Sequence, residues 1–273
     1  MRLTVRHETT YAYETPTNRA IQTLRLTPRG HDGQFVVNWR IDVDRDCRLE
    51  SASDPFGNTV HSFTVEGPLE SLAIVAEGSV ETQDTNGVLA GQVERFPPAL
   101  FLRHTALTAP NAELRAFADE TAGRAGADRL TLMHALMDGI RERLRFEVST
   151  TDSGTSAIES FGLGHGVCQD FSHIFIAAAR PLGVPARYVG GYMLRADDAN
   201  DQGAGHAWAE ALIDDIGWVG FDPANGISPT DAYLRVAMGL DYLGAAPVRG
   251  ARHGGGGETL AVRVQVSAGA AGR

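Results

Sequence analysis

The chain has 273 residues, 43% of them hydrophobic, and a formal charge of -10, enough for one large domain or two modest ones with a sizeable core. That charge, with no segment supplying clustered Arg, argues against a nucleic-acid binder, because neutralising phosphates needs grouped cations. All 24 basic residues are Arg, so no Lys can serve as nucleophile, Schiff base or amine donor.

Met1 to Tyr13 is polar and alternating and lacks the apolar core of a secretory signal; no apolar run reaches the ~18 residues of a membrane span. The expectation is a cytoplasmic protein with no membrane partner. Up to about Gln83 the sequence alternates in short stretches rich in Val, Ile, Thr and aromatics: Arg2 to Tyr13, Ala20 to Thr27, Gln34 to Val43, Val60 to Glu66 and Ser71 to Thr82. Turn clusters at Pro28-Arg29-Gly30, Asp54-Pro55-Phe56-Gly57-Asn58 and Gly67-Pro68 separate them, which predicts an all-β sandwich or barrel over 1–95. Asn86 to Pro98 reads as a connector.

The period changes near Pro110, so a second unit is expected over 96–273. Leu114, Phe117, Ala118 and Thr121 share one helical face; Asp128 precedes a second helix with Leu132, Leu136, Ile140 and Leu144 at fourfold spacing. After a polar stretch from Glu147 to Ser160 comes Gly162-Leu163-Gly164-His165-Gly166-Val167-Cys168. Phe171, Ile174, Phe175 and Ala178 then mark a helix that starts at about Cys168 and stops near Pro181-Leu182-Gly183. Strands follow at Ala186 to Leu194, His206 to Ile213 and Trp218 to Phe221. Gly254 to Gly257 is a flexible or sharply turned run before Thr259 to Val266, whose alternation suggests a closing strand. The fold class is α+β.

Two Cys, Cys47 and Cys168, are too few for a disulfide framework or a four-thiolate zinc site. A lone Cys is by default a core residue. Cys168 differs because the first turn of a helix presents unpaired N–H groups and the positive end of the helix dipole, which favour thiolate, the nucleophilic form. Gly164 and Gly166 let the chain turn sharply into that helix and leave the sulfur exposed. The same N–H groups could hold an oxyanion.

A thiol enzyme needs a base, and nine His compete for the part. His206 opens a strand that turns at Asp214-Asp215 into Trp218 to Asp222. An antiparallel hairpin turning there pairs residues whose numbers add to about 428–430, which puts His206 and Asp222 within about a residue of facing each other. Asp222 could then accept the second imidazole N–H, fixing the tautomer and stabilising imidazolium. Each residue taken singly has an ordinary reading, as a strand-end His or an Asx turn before Pro223; the three together favour catalysis. Metal binding by the three lacks a close second ligand such as a His at i+4, and no metal or cofactor is expected. His165 and His173 are reserve candidates for base or ligand, His173 reading as a surface or packing residue.

Four ordered blocks carry a family resemblance: Gly166-Val167-Cys168-Gln169-Asp170-Phe171, Gly183 to Tyr192, His206-Ala207-Trp208-Ala209-Glu210, and Gly217 to Gly226. They resemble the bacterial transglutaminase-like superfamily. Leu24-Arg25-Leu26-Thr27-Pro28-Arg29 and Asp54 to Asn58 are similar to the β-domain preceding the core in one bacterial branch, that of the cysteine-protease-like members. The resemblance implies a papain-like core, its nucleophile Cys at a helix N-terminus packed on an antiparallel sheet, with Cys168, His206 and Asp222 as the triad. It implies a thioacyl-enzyme formed from a peptide or peptide-like amide and resolved by water, as in proteases and amidases, or by an amine, as in transglutaminases. Hydrolysis is favoured, because the indole that some transglutaminases use for the oxyanion cannot be placed among Trp39, Trp208 and Trp218. An ATP-grasp-type ligase is an implied functional neighbour. No loop has the acidic spacing of a calcium-binding EF-hand. The alternative from another class, a binding or scaffold module that lost turnover, is disfavoured by the intact triad.

Overall fold

The computed structural model describes residues 1–126, 128–195 and 201–269. The first part of the chain is strand: β1 (Arg2–Thr27), β2 (Gln34–Val43), β3 (Glu50–Ser53), β4 (Thr59–Thr82) and the short β5 (Val88–Leu89). The helical part contains α1 (Ala112–Ala125), α2 (Arg129–Arg143), β6 (Arg145–Phe146), α3 (Ala157–Leu163), β7 (His165–Gly166) and α4 (Cys168–Ala179). The remainder is β8 (Ala186–Met193), β9 (Asp201–Gln202), β10 (His206–Ile213), β11 (Gly217–Phe221), β12 (Tyr233–Gly239), α5 (Tyr242–Ala245), β13 (Val248–His253) and β14 (Glu258–Ala268).

Two of the expected strand pairs are single long strands. Arg2 to Tyr13 and Ala20 to Thr27 run on as β1, and Val60 to Glu66 and Ser71 to Thr82 as β4, paired with each other along nearly their whole length. Register shifts between Ala12 and Arg19, opposite Gly67-Pro68, bend the ribbon. The bend folds one sheet back on itself, so Tyr11, Tyr13, Leu72 and Ile74 bury against Leu24, Leu26, Phe63 and Val65. The expected sandwich-like interior thus comes from one folded seven-stranded sheet. Alternation alone does not distinguish a turn from a bend that keeps its ladder.

The boundary expected between 95 and 96 does not separate the sheets. The closing strand, β14, pairs with β1 from Leu3↔Ala268 to Tyr13↔Glu258, and β13 pairs with the second half of β1. The C-terminal strands therefore close the N-terminal sheet. In return β5, in the expected connector, pairs with β11 of the second sheet. Leu3, Val5, Val80, Val264 and Val266 share a core with the helices.

The second sheet has the order β12-β8-β10-β11-β5 and is antiparallel throughout. α4 lies against β8 and β10, with α1, α2 and α3 around it. One apolar face was expected for α4, yet every residue from Asp170 to Ala179 is buried, because helices cover the side away from the sheet. Each fully buried Phe or Ile there contributes about 1.5–3 kcal/mol. β12, at the sheet edge, would leave backbone groups unpaired, and two amide side chains, one from β2 and one from the turn between β3 and β4, take the place of a neighbouring strand. Gln34 donates to the Arg235 carbonyl (2.9 Å) and accepts from its N–H (2.8 Å); Asn58 does the same for Met238 (2.7 and 2.9 Å). No helix among the described residues is long and apolar enough to cross a membrane.

Candidate active site

Cys168 is the first residue of α4. The turn into it is built from two sides. α3 starts on a capping box in which Ser156 and Glu159 bond reciprocally, an element absent from the expected polar stretch, and it ends on Gly164 with φ 71°. Gly166 is needed for close approach, since a Cβ there would lie 2.6 Å from Asp170 Oδ2 and 2.7 Å from Ser160 Oγ. Asp170, two residues past Cys168 in the first of the four family blocks, accepts the Val167 N–H at 2.8 Å and the Thr151 hydroxyl at 2.7 Å. This pins the backbone just ahead of the sulfur. Burial pushes the Asp170 carboxyl above its usual range despite those donors.

His206 begins β10, paired with Gly191 of β8. The β10–β11 ladder runs from Ala209↔Phe221 to Ile213↔Gly217, so Asp222 falls just past the end of β11, opposite the position of Trp208 rather than His206. The expected facing is therefore off by two residues along the strand. The pair still meets, because diagonal neighbours share a sheet face within reach of long side chains. His206 Nε2 lies 2.6 Å from Asp222 Oδ2.

Asp222 is fully buried and heavily bonded. Oδ2 also accepts from Asn225 Nδ2 and from the Tyr233 hydroxyl, both at 2.7 Å, while Oδ1 accepts the N–H groups of Ala224 (3.0 Å) and Asn225 (3.2 Å). Burial alone would raise its pKa; His206, Asn225 and Tyr233 outweigh it and hold the carboxyl below the usual range. With Nε2 committed, Nδ1 is the imidazole nitrogen left for the thiol. Burial disfavours the charged ring, but the Cys168 sulfur and the bond to Asp222 overcome that and push His206 up to about 10. The direction of the shift favours the protonated ring.

Cys168 and His206 line one cavity of about 230 Å³. Much of its wall comes from outside the helical core: His7, Thr9, Tyr11, Arg25 and Leu26 from β1, Val248 from β13, Leu260 and Val262 from β14. His7 is held by Tyr192 Oη (2.9 Å) and Thr9 Oγ1 (3.1 Å), and burial lowers its pKa to about 4, so it stands there neutral. Nothing in the sequence marks His7 beyond its place in an alternating strand. Asn225 and Tyr233 are likewise not evident from sequence as partners of Asp222. Asn225 lies inside the last of the four family blocks, where a polar residue three after a candidate Asp is the available clue; Tyr233 lies on β12, a strand with no alternation to reveal it.

The reserve candidates do not join the site. His173 is fully buried and accepts the Tyr242 N–H at 3.0 Å, which makes it a packing residue and not a surface one; burial takes its pKa to about 4. His165 is half-buried beside Thr150 Oγ1 at 3.2 Å. Of the indoles, Trp208 stacks beside His206 and Trp39 on Tyr192, each with centroids 6.3 Å apart, while Trp218 lies under Arg187.

A thiol at a helix start, an imidazole and a buried, saturated carboxylate on an antiparallel sheet define the class: a transglutaminase-like core of the papain-like kind. The profile of the bacterial transglutaminase-like N-terminal region matches residues 3–81 and that of the transglutaminase-like superfamily matches residues 115–223. The chain belongs to the bacterial transglutaminase-like superfamily, whose members are typically cysteine enzymes. It is similar to an uncharacterized protein of Mycobacterium leprae, 29% identical over 97% of this chain and 98% of that one. An uncharacterized protein of Mycobacterium tuberculosis is 28% identical, covering 91% of this chain and 87% of its own. Among solved structures, a protein from Cytophaga hutchinsonii described as a candidate cysteine protease superimposes with a TM-score of 0.79 at 20% identity, over 98% of this chain and 90% of that chain, and shows the same fold.

Proposed function

We propose that this protein is a cysteine-dependent amide hydrolase that works through a thioacyl-enzyme on Cys168. The observation that carries the reading is the arrangement around His206: Nε2 bonded to a buried carboxylate whose oxygens are otherwise saturated, and Cys168 beside it at the wall of a shared cavity. In the resting pair the proton sits on His206. The sulfur attacks the amide carbonyl, N–H groups at the start of α4 receive the oxyanion, and the imidazolium gives its proton to the leaving amine. His206, now neutral, takes a proton from water, and the hydroxide attacks the thioester to release the acid and restore the thiolate–imidazolium pair.

Water is favoured over a primary amine as acceptor because, among the described residues lining the cavity, none is acidic and able to recruit an alkylammonium group. The deciding experiment incubates the protein with amide and activated-ester donors, traps the acyl-thiol on Cys168 by mass spectrometry, and chases it with water or with primary amines. Release as acid with amines present supports the hydrolase; capture as the substituted amide would make the protein a transglutaminase. Cys168→Ala should leave no adduct and a rate at least ~10⁴-fold lower. A thiol in the wild type that meets iodoacetamide no faster than a free cysteine near neutral pH would return the chain to the binding-module reading.

A further inference from the structure

We propose that the cavity at Cys168 selects acyl groups that end in a carboxylate, and that Arg25 of the N-terminal sheet is the residue that binds it. The inference rests on the acyl-enzyme reading above and names the substrate class of that same site.

Arg25 lines the cavity with Leu26, Pro247 and Val248, and its backbone N–H donates to the Pro247 carbonyl at 2.8 Å, which fixes the strand there. Its side chain is 16% exposed. Nε donates to Asp54 Oδ2 at 3.1 Å. Asp54 in turn is fixed by Asn58, whose N–H reaches Oδ1 at 3.0 Å and whose Nδ2 reaches Oδ2 at 2.9 Å. The guanidinium is therefore anchored by one nitrogen to a carboxylate that is itself held in place. Both terminal nitrogens have no partner among the described residues. That pair of nitrogens is the edge of the fork that grips a carboxylate with two parallel bonds.

The charge of the cavity points the same way. The chain carries 34 acidic residues against 24 basic ones, yet no carboxylate is among the described residues lining the cavity. The basic residues of its lining are Arg25, His206 and His7, and His206 already has Asp222 as its counter-ion. His7 is neutral, and the remaining wall is largely apolar and aromatic. An apolar lining would accept an alkyl or aryl acyl chain of any kind. A desolvated guanidinium with its terminal donors open costs free energy there unless an anion completes it. One guanidinium, partly neutralised by Asp54, suits a monoanionic carboxylate better than a phosphate dianion, which calls for several donors. The folded-over N-terminal sheet thereby supplies the end of the acyl site that the helical core lacks.

The test uses the full chain and p-nitrophenyl monoesters of the dicarboxylic acids from succinic to suberic, against p-nitrophenyl alkanoates of matching length. Nitrophenolate release is followed, with Cys168→Ala as the blank. At the best length the carboxylate probe should exceed its neutral match in kcat/KM by about 10- to 100-fold, the effect of one charge-assisted pair. Capping the free carboxyl as a methyl ester should erase the gain. Arg25→Gln should remove the preference through KM, with reaction of Cys168 toward iodoacetamide unchanged; Arg25→Lys should restore part of it. If Arg25→Gln fails to fold, the wild-type comparison with free and capped probes decides alone. Equal or lower rates for the carboxylates at every length would overturn the assignment while leaving the hydrolase reading intact. Release from no ester above the blank would overturn both.

Discussion

β10 carries two buried charged clusters four residues apart, and they behave as opposites. At its start, His206 meets Asp222 beside an open cavity and a thiol. Further along, Glu210 accepts from Arg187 Nε (2.6 Å), Arg235 Nε (2.7 Å) and Arg235 Nη2 (3.1 Å). Arg187 is fully buried, bonds Glu94 at 2.9 and 3.0 Å, and lies with its guanidinium 3.8 Å from the Trp218 ring centroid. Burial would raise Glu210, but the two guanidiniums take it down to about 2. Both clusters are buried, bonded and shifted in pKa. They differ in that Glu210, held down by its two guanidiniums, stays ionised across the neutral range and lines no cavity with the thiol, whereas His206 is a titratable base that shares a cavity with Cys168. A perturbed pKa in a buried network marks a site of chemistry only when a member can titrate where substrate can reach.

The two clusters should part most widely when their carboxylates are neutralised. Asp222→Asn should preserve the bonds from Ala224 and Asn225 to Oδ1 while removing the anion that orients His206, lowering acylation by about 10⁴-fold with little loss of fold. The sign of the pH effect follows from the same bond. Asp222 raises the His206 pKa, so the alkaline fall in amide cleavage, expected as pH rises through about 10 in the wild type, should move about 1–3 units lower in any residual activity. His206 is raised above its ordinary 6.5, so its pairing stabilises the fold fully below that pH and loses that contribution as pH rises through about 10. A pH–rate profile and urea melts at pH 7 and 10.5 check both.

Glu210→Gln should do the reverse. It leaves Arg187 and Arg235 short of their shared counter-ion in a dry site, costing about 3–5 kcal/mol in urea unfolding. The acylation rate of the folded fraction should stay within a few-fold of wild type, with its alkaline limb unmoved. Glu210 is depressed from 4.5, so its contribution is present above that pH and fades as pH falls toward 2. A collapse of rate with intact stability would place Glu210 in the chemistry and erase the contrast between the two clusters.

How much of this contrast the sequence displays depends on the kind of signal. The helix start at Cys168, the faces of α1 and α2, and the bounds of β10 follow from apolar period and from Asp128 and the glycines, which act within a few residues. The nearness of His206 to Asp222 follows from hairpin counting, though the ladder sits two residues off the facing pair. The family blocks do not separate roles: Arg187, Glu210 and Asp222 stand in the same kind of motif, and only burial and partners show which serves structure. What cannot be read depends on contacts far along the chain. β1 and β4 bending without breaking, β14 closing the N-terminal sheet, and His7 lining the cavity are set by packing between segments as far apart in sequence as Leu3 and Ala268.

Asn58 tests whether the N-terminal sheet is as tightly docked as the cavity requires. Its amide replaces a missing strand partner for Met238, so Asn58→Ala leaves one N–H and one C=O of β12 unpaired. A loss of about 2–3 kcal/mol is expected from two such groups that regain water only in part. A thermal melt reads the fold, and a rise in KM larger than any fall in kcat would show that the cavity wall has loosened rather than the thiol site. Stability unchanged from wild type would mean that β12 needs no such partner.

A much weaker effect is expected at Tyr233, which donates to Asp222 and packs beside the His206 ring. Burial and the adjacent carboxylate raise its phenol, so it donates its proton at every working pH. Tyr233→Phe removes one of three donors to Oδ2, with a rate loss of about 3- to 10-fold expected from one charge-assisted bond whose acceptor keeps its others. The pH profile makes the test specific. A carboxylate with fewer donors is more basic and pulls harder on the His206 proton, so the alkaline limb should move slightly up, opposite to Asp222→Asn. A downward shift would mean that Tyr233 positions the ring by packing against it, at its centroid distance of 5.7 Å from His206, and not by tuning its partner's charge.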